Sequence, residues 1–550
     1  MNKKYIGITI GPIVKTLMLT TTPAGLWGAS YIFSYFTKNL IDQLEQILGI
    51  SKESFLVPVR NNEVETIIKD CPWAGLFHDR IIFQTDPSIP LTKIDQCIKK
   101  CKEDLSKEIL TICLTENEDI ERAKKFIEDY LQVHVIEKEV EKGKNPILAL
   151  SPNLDILELG QSYIPKEDKN YLLDFLENRD SLEQKKPENR NQNIKRFTQK
   201  IEKTQQLMKW HFLEEEHIIT IDDIAGVSGN KIGVNTQTKN YFALVNADGD
   251  NLGKVLKSME DTQGNQVIEE IKGFSEKCFD YARRAFEKVE KYGGKMIYAG
   301  GDDLLFIAPV KNHEETIFHL LSTLNDEFIN CFFGFSFKEE GQEKKMGFSA
   351  GVMICYYKYP LKEALISVLD QLDKSKKIKT KNTISVHFEK HSGKQHGIQF
   401  INFFNNCENN KIYTMFLDLL EEYGKQNGQL NNSKDFLRSL GTKLQDYRNV
   451  FLIAMVKDGA AKRNYLNEVF KNLFEEYPGI FDETKTKEEK SEEANYIERI
   501  VDLLEEIFYM KLSLIQDKTE KTKRQAALDS LQEIETVIGL LKFYNEKEIK

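Results

Sequence analysis

Two pairs of acids in this chain stand where apolar runs end. Asp302 and Asp303 follow Gly300-Gly301, between Met296-Ile297-Tyr298-Ala299 and Leu304-Leu305-Phe306-Ile307. That arrangement predicts a β-hairpin whose turn projects two adjacent carboxylates. Upstream, the strand-like run Tyr241-Phe242-Ala243-Leu244-Val245-Asn246-Ala247 ends in Asp248-Gly249-Asp250-Asn251-Leu252-Gly253. Adjacent carboxylates at a sheet edge repel one another unless a cation sits between them. A divalent metal and a nucleotide phosphate are the natural neutralising partners. The glycines permit positive φ and let a large ligand approach the main chain. For the GGDD tetrapeptide alone, a solvated turn is the competing explanation.

The elements between the motifs must bring the two pairs together. Val267, Ile268, Ile271, Phe274, Cys278, Tyr281, Phe286 and Val289 recur near helical spacing, and Gly293-Gly294 supply a stop. Strand, acids, helix, strand, acids, strand is therefore the expected order. A crossover of this kind predicts that the strands before Asp248 and Gly300 lie side by side and parallel. Two metals roughly 4 Å apart, held by such carboxylates, activate a hydroxyl nucleophile and stabilise a pyrophosphate leaving group. Phe348 to Ile354 reads as a further strand, and Pro360 starts a helix that runs into Lys374, Lys376, Lys377, Lys379 and Lys381. Thr383 to Phe388 closes the unit as a βαββαβ palm, a ferredoxin-like sheet with helices on one face. Lys376 is the chosen candidate to reach a triphosphate as a point charge. Lysines complementing a helix dipole are the alternative.

The set DGDNLG, long helix, AGGDD, FSAGV and lysine-ended helix resembles the cyclase-type palm of the type III CRISPR large subunit. Ile8-Thr9-Ile10-Gly11-Pro12 and Leu26-Trp27-Gly28-Ala29-Ser30-Tyr31-Ile32-Phe33-Ser34 are similar to the opening of the first palm in the type III-B version. The resemblance implies an α+β chain with two ferredoxin-like palms, a helical spacer and an α-helical C-terminal domain. It implies catalytic Asp248, Asp250, Asp302 and Asp303, with two Mg²⁺ or Mn²⁺ ions at Asp248, Gly249, Asp302 and Asp303. Nucleotide contacts are expected from Gly249, Asn251, Gly253, Gly300, Gly301, Ser349 and Lys376. The implied activity is ATP-dependent adenylyl transfer at the GGDD palm, switched on by target RNA in a type III-B antiviral complex with guide RNA and other subunits.

Many members of that family begin with an HD nuclease domain. Here the first palm strand starts close to residue 5, and His78-Asp79 reads as a structural turn before a strand. The expectation is an HD-lacking member without DNase activity, whose product is either cyclic oligoadenylate or AMP joined to S-adenosylmethionine as co-substrate. A freestanding diguanylate-type cyclase and a catalytically silent scaffold are the alternatives. The duplicated palm speaks against the first, and the intact acids speak against the second.

The implied organisation is a non-catalytic first palm over 1–145, a mainly helical spacer over 146–238, the GGDD palm over 239–400 and helices over 401–550. Within the first palm, Glu108 to Leu114 and Val133 to Ile136 read as strands, and Asp482 to Asn495 reads as a charged loop between later helices. Trp27 either lines the nucleotide cleft or packs beside a tight helix start. The chain has 550 residues, eight scattered cysteines and a net charge of −10. These numbers suit a multidomain cytoplasmic protein with core thiols, including Cys97, Cys101 and Cys113, rather than a disulfide framework. The acidic balance argues against a freestanding RNA binder, although Lys185, Lys186, Arg190, Lys195, Arg196 and Lys200 form a candidate RNA-facing stretch.

Overall fold

The computed structural model describes residues 2–113, 120–160, 170–177, 211–214, 217–227, 240–261, 266–313, 315–393, 395–401, 411–425, 433–457, 460–477 and 479–545. Contacts divide the chain into two compact units. One holds residues 1–312, 320–348 and 356–368, and the other 313–319, 349–355 and 369–550. The class is α+β, with ferredoxin-like palm architecture followed by helices. Among the described residues, no helix is long and apolar enough to cross a membrane.

The first unit opens with β1 (Lys3–Gly11), α1 (Pro23–Leu48), β2 (Phe55–Val57), α2 (Asn62–Asp70), β3 (Arg80–Gln84), α3 (Leu91–Cys113), α4 (Ile120–Tyr130) and β4 (Gln132–Val140). The sheet order is β2-β3-β1-β4, and every pairing is antiparallel, which is the ferredoxin-like order. α5 (Pro146–Glu158) lies on β1, where a Cβ on Gly7 would sit 3.1 Å from both Leu150 and Leu154. α1 starts at Pro23, with the Thr22 hydroxyl accepting Gly25 N–H at 3.1 Å.

One expectation fails here. Glu108 to Cys113 is not a strand but the end of α3. Ile94, Ile98, Cys101, Leu105 and Ile109 are all buried and recur every three or four residues, so the aliphatic run completes a helical face. Cys97 and Cys101 are buried, free thiols on that helix.

After α6 (Tyr171–Glu177) come β5 (Tyr241–Asp250), α7 (Leu252–Ser258), α8 (Gln266–Lys291), β6 (Lys295–Gly300) and β7 (Asp303–Pro309). β7 pairs antiparallel with both β5 and β6. The crossover strands β5 and β6 are thus parallel to each other, as expected, but they are not neighbours. From Leu304 onward every residue of β7 is buried, so the most apolar strand takes the inner place and the hairpin folds it there. α8 covers the ladder through Val267, Ile271, Phe274, Tyr281, Ala285 and Val289. Tyr281 meets Phe328 edge-on at 5.1 Å between centroids.

α9 (Ile317–Phe332) and the hairpin β8 (Ser336–Glu339) and β9 (Gln342–Lys345) precede β10 (Gly347–Tyr356), and none of the three entered the sequence count. α10 (Leu361–Lys377) then leads to β11 (Ile384–Glu389), which pairs parallel with β10, and β12 (Gln395–Phe400) adds antiparallel to β11.

In the second unit the C-terminal part is helical: α11 (Lys411–Lys425), α12 (Ser433–Asp446), α13 (Arg448–Val456), α14 (Ala460–Leu473), α15 (Glu492–Leu514) and α16 (Glu520–Asn545). Phe318, Phe400, Tyr413, Phe416 and Tyr544 form its aromatic centre. α15 begins at Glu492, inside the stretch expected as loop, because the Ser491 hydroxyl caps it by accepting Ala494 N–H.

One buried cation gathers three acids of the first palm. The Arg60 side chain is 4% exposed and pairs with Asp42 at 3.1 Å, Glu45 at 3.7 Å and Glu65. Removing it leaves these acids facing one another, so Arg60→Ala is expected to lower stability by about 3 kcal/mol. Thermal unfolding measures this, and an unchanged midpoint contradicts it.

Candidate active site

The register of the β5–β7 ladder builds the acid cluster. Phe242 lies opposite Pro309 and Ala247 opposite Leu304, so one further step sets Asp248 beside Asp303. Gly300 pairs with Asp303 across the hairpin, and Gly301 turns the chain with φ +69°. Asp248, Asp302 and Asp303 each offer a carboxylate oxygen, and these oxygens lie within 4.8 Å of one another. Asp302 is buried and Asp248 half-buried. Gly249 is required by close approach: a Cβ there would collide with the Asp302 carboxylate. Asp250 is fully buried at the end of β5 and lies outside the cluster. Three carboxylates this close repel strongly, and their hard oxygen donors fit Mg²⁺ or Mn²⁺.

The turn opens into a cavity of about 460 Å³. Gly300, Gly301, Asp302 and Asp303 form one wall, and Leu252, Gly253, Phe274, Ser275 and Cys278 another. First-palm residues Leu76, His78, Asp79, Arg80 and Ile82, with Ile147 and Ser151 of α5, supply the rest. Burial, reinforced by Arg80, pushes the His78 imidazole down to about 4, so it is neutral at pH 7. Burial and the nearby Glu158 raise the Asp79 carboxyl to about 6, against the pull of Arg80. The Arg80 guanidinium is itself paired with Asp155 at 2.6 Å and Glu158 at 2.9 Å. Burial, then Asp302 and Asp303, hold the Cys278 thiol protonated well above its usual range. Tyr298 is pushed up in the same way by burial and by Asp303, Asp79, Asp302 and Asp248.

Of the expected nucleotide contacts, Gly253, Gly300 and Gly301 line this cavity. Asn251 takes a left-handed φ of +66° before α7, and its carbonyl accepts Lys254 and Val255 N–H. Ser349 is fully buried in the second unit, where its hydroxyl accepts Thr383 N–H at 3.2 Å. Lys376 lies in the last turn of α10, between Lys374 and Lys377, which pair with Asp370 and Asp373. Trp27 is a packed residue: it is 4% exposed, stacks on Tyr31 at 4.7 Å, and donates from Nε1 to Trp73 O. The basic stretch from Lys185 to Lys200 lies outside the described residues.

His78-Asp79 is the structural turn expected before β3: Nδ1 of His78 accepts Arg80 N–H, and Asp79 O accepts Ile10 N–H. What the sequence did not show is that the same turn faces the acids. An acid and a histidine at the mouth of a strand was the only signal available.

Two outcomes follow. Gly249→Ala displaces the Asp302 carboxylate and is expected to lower Mn²⁺ affinity about 10-fold or more, measured by titration calorimetry. For Asp79 the folded carboxyl titrates above the unfolded one, near 3.8, so the folded state holds more protons between about pH 4 and 6. Stability therefore falls as pH rises through that window. Asp79→Asn is expected to raise the thermal midpoint at pH 7 in EDTA, with the gain shrinking towards pH 4. A lower midpoint at pH 7 would contradict this.

Residues 241–385 match the family described as Cas10/Cmr2, second palm domain. The CRISPR system Cmr subunit Cmr2 of Pyrococcus furiosus is 28% identical over 236 residues, covering 38% of this chain. The match spans only 25% of that relative's length. Among solved structures, the type III-B Cmr-beta apo complex contains a chain that aligns with a TM-score of 0.54 and 13% identity, over 90% of this chain and 79% of that one. The Cmr-beta structure bound to cognate target RNA gives a TM-score of 0.52 at 12% identity over 90% and 80%. The Csm1-Csm4 cassette in complex with cA4 gives 0.50 at 14% identity over 92% and 70%. Residues 241–385 thus match the Cas10/Cmr2 second palm domain, and the chain around them has the fold of a Cas10-like palm subunit.

Proposed function

We propose that this chain is the large subunit of a type III-B CRISPR effector complex, and that it transfers adenylyl groups from ATP when guide RNA captures a target. The observation that carries this reading is the Asp248, Asp302 and Asp303 cluster opening into a cavity walled by both palms. The related structures support it: one is a type III-B Cmr-beta complex bound to cognate target RNA, and another a Csm1-Csm4 cassette in complex with cA4. In the reaction an acceptor hydroxyl attacks the α-phosphorus of ATP. The bond to the β-phosphate oxygen breaks, pyrophosphate leaves, and the hydroxyl proton passes to solvent. Two divalent ions, when bound, activate the acceptor and take up the charge of the leaving group.

The residues do the rest. Asp248, Asp302 and Asp303 would hold the cations, and Gly249 leaves room for the Asp302 carboxylate. Gly300 and Gly301 let the triphosphate approach the main chain. Leu76, Ile82, Phe274 and Leu256 give the cavity an apolar wall suited to excluding water from the transfer. Asp250, expected as a catalytic acid, is buried outside the cluster and is given no cation in this reading. The nucleotide contacts expected of Ser349 and Lys376 are not carried into this reading: Ser349 is fully buried, and both residues lie in the second unit. The acceptor is either a second adenylate, giving cyclic oligoadenylate, or S-adenosylmethionine.

The test is pyrophosphate release by the assembled complex with target RNA, ATP and Mg²⁺ or Mn²⁺. Asp302→Ala combined with Asp303→Ala is expected to reduce turnover more than about 100-fold, beyond the loss that outer-shell changes cause. Undiminished turnover would overturn the catalytic assignment. Mass spectrometry with and without S-adenosylmethionine identifies the acceptor: dependence on it gives the joined product, and independence gives cyclic oligoadenylate.

A further inference from the structure

The two glycines of the GGDD turn do different work. Gly301 supplies a positive φ, whereas Gly300 does not. At Gly300 the constraint is a ring: a Cβ there would collide with the side chain of Tyr298, two residues back on β6. The register explains how the ring comes to be there. Met296 faces Phe306 and Tyr298 faces Leu305, so Ile297 is an extra residue in β6. A bulge of this kind re-aims the side chain that follows it. Tyr298 consequently lines the cavity, and its hydroxyl donates to the Gly300 carbonyl at 3.2 Å.

The other side of the same residue is held by the first palm. Ala299 N–H donates to Ala74 O at 2.8 Å, which pairs the loop after α2 with the free edge of β6. Gly75, at φ +65°, lies beside the ring: a Cβ there would be in van der Waals contact with Cδ2 of Tyr298, at 3.7 Å. Trp73 and Phe77 tie this loop to α1: Trp73 O accepts the Trp27 indole N–H at 3.0 Å, and Phe77 N–H donates to the Ser34 hydroxyl at 2.9 Å. A continuous set of contacts therefore runs from α1 through the loop to Tyr298, and from Tyr298 to the carbonyl immediately before the turn.

We propose that Tyr298 is a positioning residue that sets the GGDD turn for cation binding and couples that turn to the first palm. This rests on the reading of Asp248, Asp302 and Asp303 as cation ligands. The hydroxyl fixes the direction of the Gly300 peptide, and that peptide fixes where the following two carboxylates point. Outer partners of this kind orient ligands without touching the metal.

The experiment titrates Mn²⁺ into the full chain, following free Mn²⁺ by electron paramagnetic resonance. The samples are the parent, Tyr298→Phe, and Asp302→Ala combined with Asp303→Ala. Tyr298→Phe keeps the ring and removes only the hydroxyl, so its thermal midpoint in EDTA is expected to equal the parent's. Its Mn²⁺ dissociation constant is expected to rise about 10-fold. In the assembled complex the Mn²⁺ concentration for half-maximal turnover rises with it, while turnover at saturating Mn²⁺ stays within about twofold. If Tyr298→Phe binds Mn²⁺ as the parent does, while the double variant does not bind, the inference about Tyr298 is overturned and the cation site stands. A parent that does not bind Mn²⁺, or a double variant that binds equally well, overturns both. Should Tyr298→Phe lower the midpoint, Gly300→Ala retains the hydroxyl and displaces the ring, and unchanged Mn²⁺ binding there also overturns the proposal.

Discussion

The register between β5 and β7 is the constraint on which the site depends. A slip of one residue would turn every side chain of β7 to the opposite face. Leu304 to Pro309 are all buried, so such a slip would force each of these side chains into space packed around its neighbour. The acids are thereby placed by hydrophobic burial several residues away. Asp248 stands beside Asp303 because Ala247 stands opposite Leu304. Repulsion among the three carboxylates works against this arrangement, and the packed ladder over α8 holds it in place. A site that is electrostatically unfavourable when empty is correspondingly favourable to a divalent ion.

That balance also accounts for which residues can change. Two glycines beside the acids are fixed by neighbours rather than by flexibility: Gly249 by the Asp302 carboxylate and Gly300 by the Tyr298 ring. Only at Gly301, with φ +69°, is backbone conformation the reason. The alternation of acid and glycine that drew attention in the sequence therefore reflects packing as much as turn geometry.

Much of this was legible from local pattern. Apolar runs ending in acids located both strand ends, helical spacing located α8, and the end of strand signals after residue 400 matched the helical C-terminal part. The failures share a cause, which is that pairing partners are not written in local pattern. Glu108 to Cys113 has strand composition, yet it continues the buried face of α3. β5 and β6 looked adjacent because the connection between them is a crossover, but the hairpin delivered β7 to the position between them. The bulge at Ile297 leaves no trace in an apolar run, and so the direction of Tyr298 could not be read. His78-Asp79-Arg80 was recognisable as a turn, but its proximity to the acids depends on how the first palm packs against α8 and β6.

The same packing sets the electrostatics of the cavity. Among the described residues that line it, Arg80 is the side chain carrying a full positive charge, and Asp155 and Glu158 already neutralise it. His78 is held neutral, and Asp79 adds a further carboxyl. A cavity so lined repels a bare triphosphate at neutral pH. Phosphate can enter it only with cations that the acids also want. On the proposed reading, cation and nucleotide binding are coupled by charge, and each would raise the affinity for the other. On that reading, where Tyr298 holds the turn would decide how well the acids meet the cation, and through the cation how well a nucleotide is held.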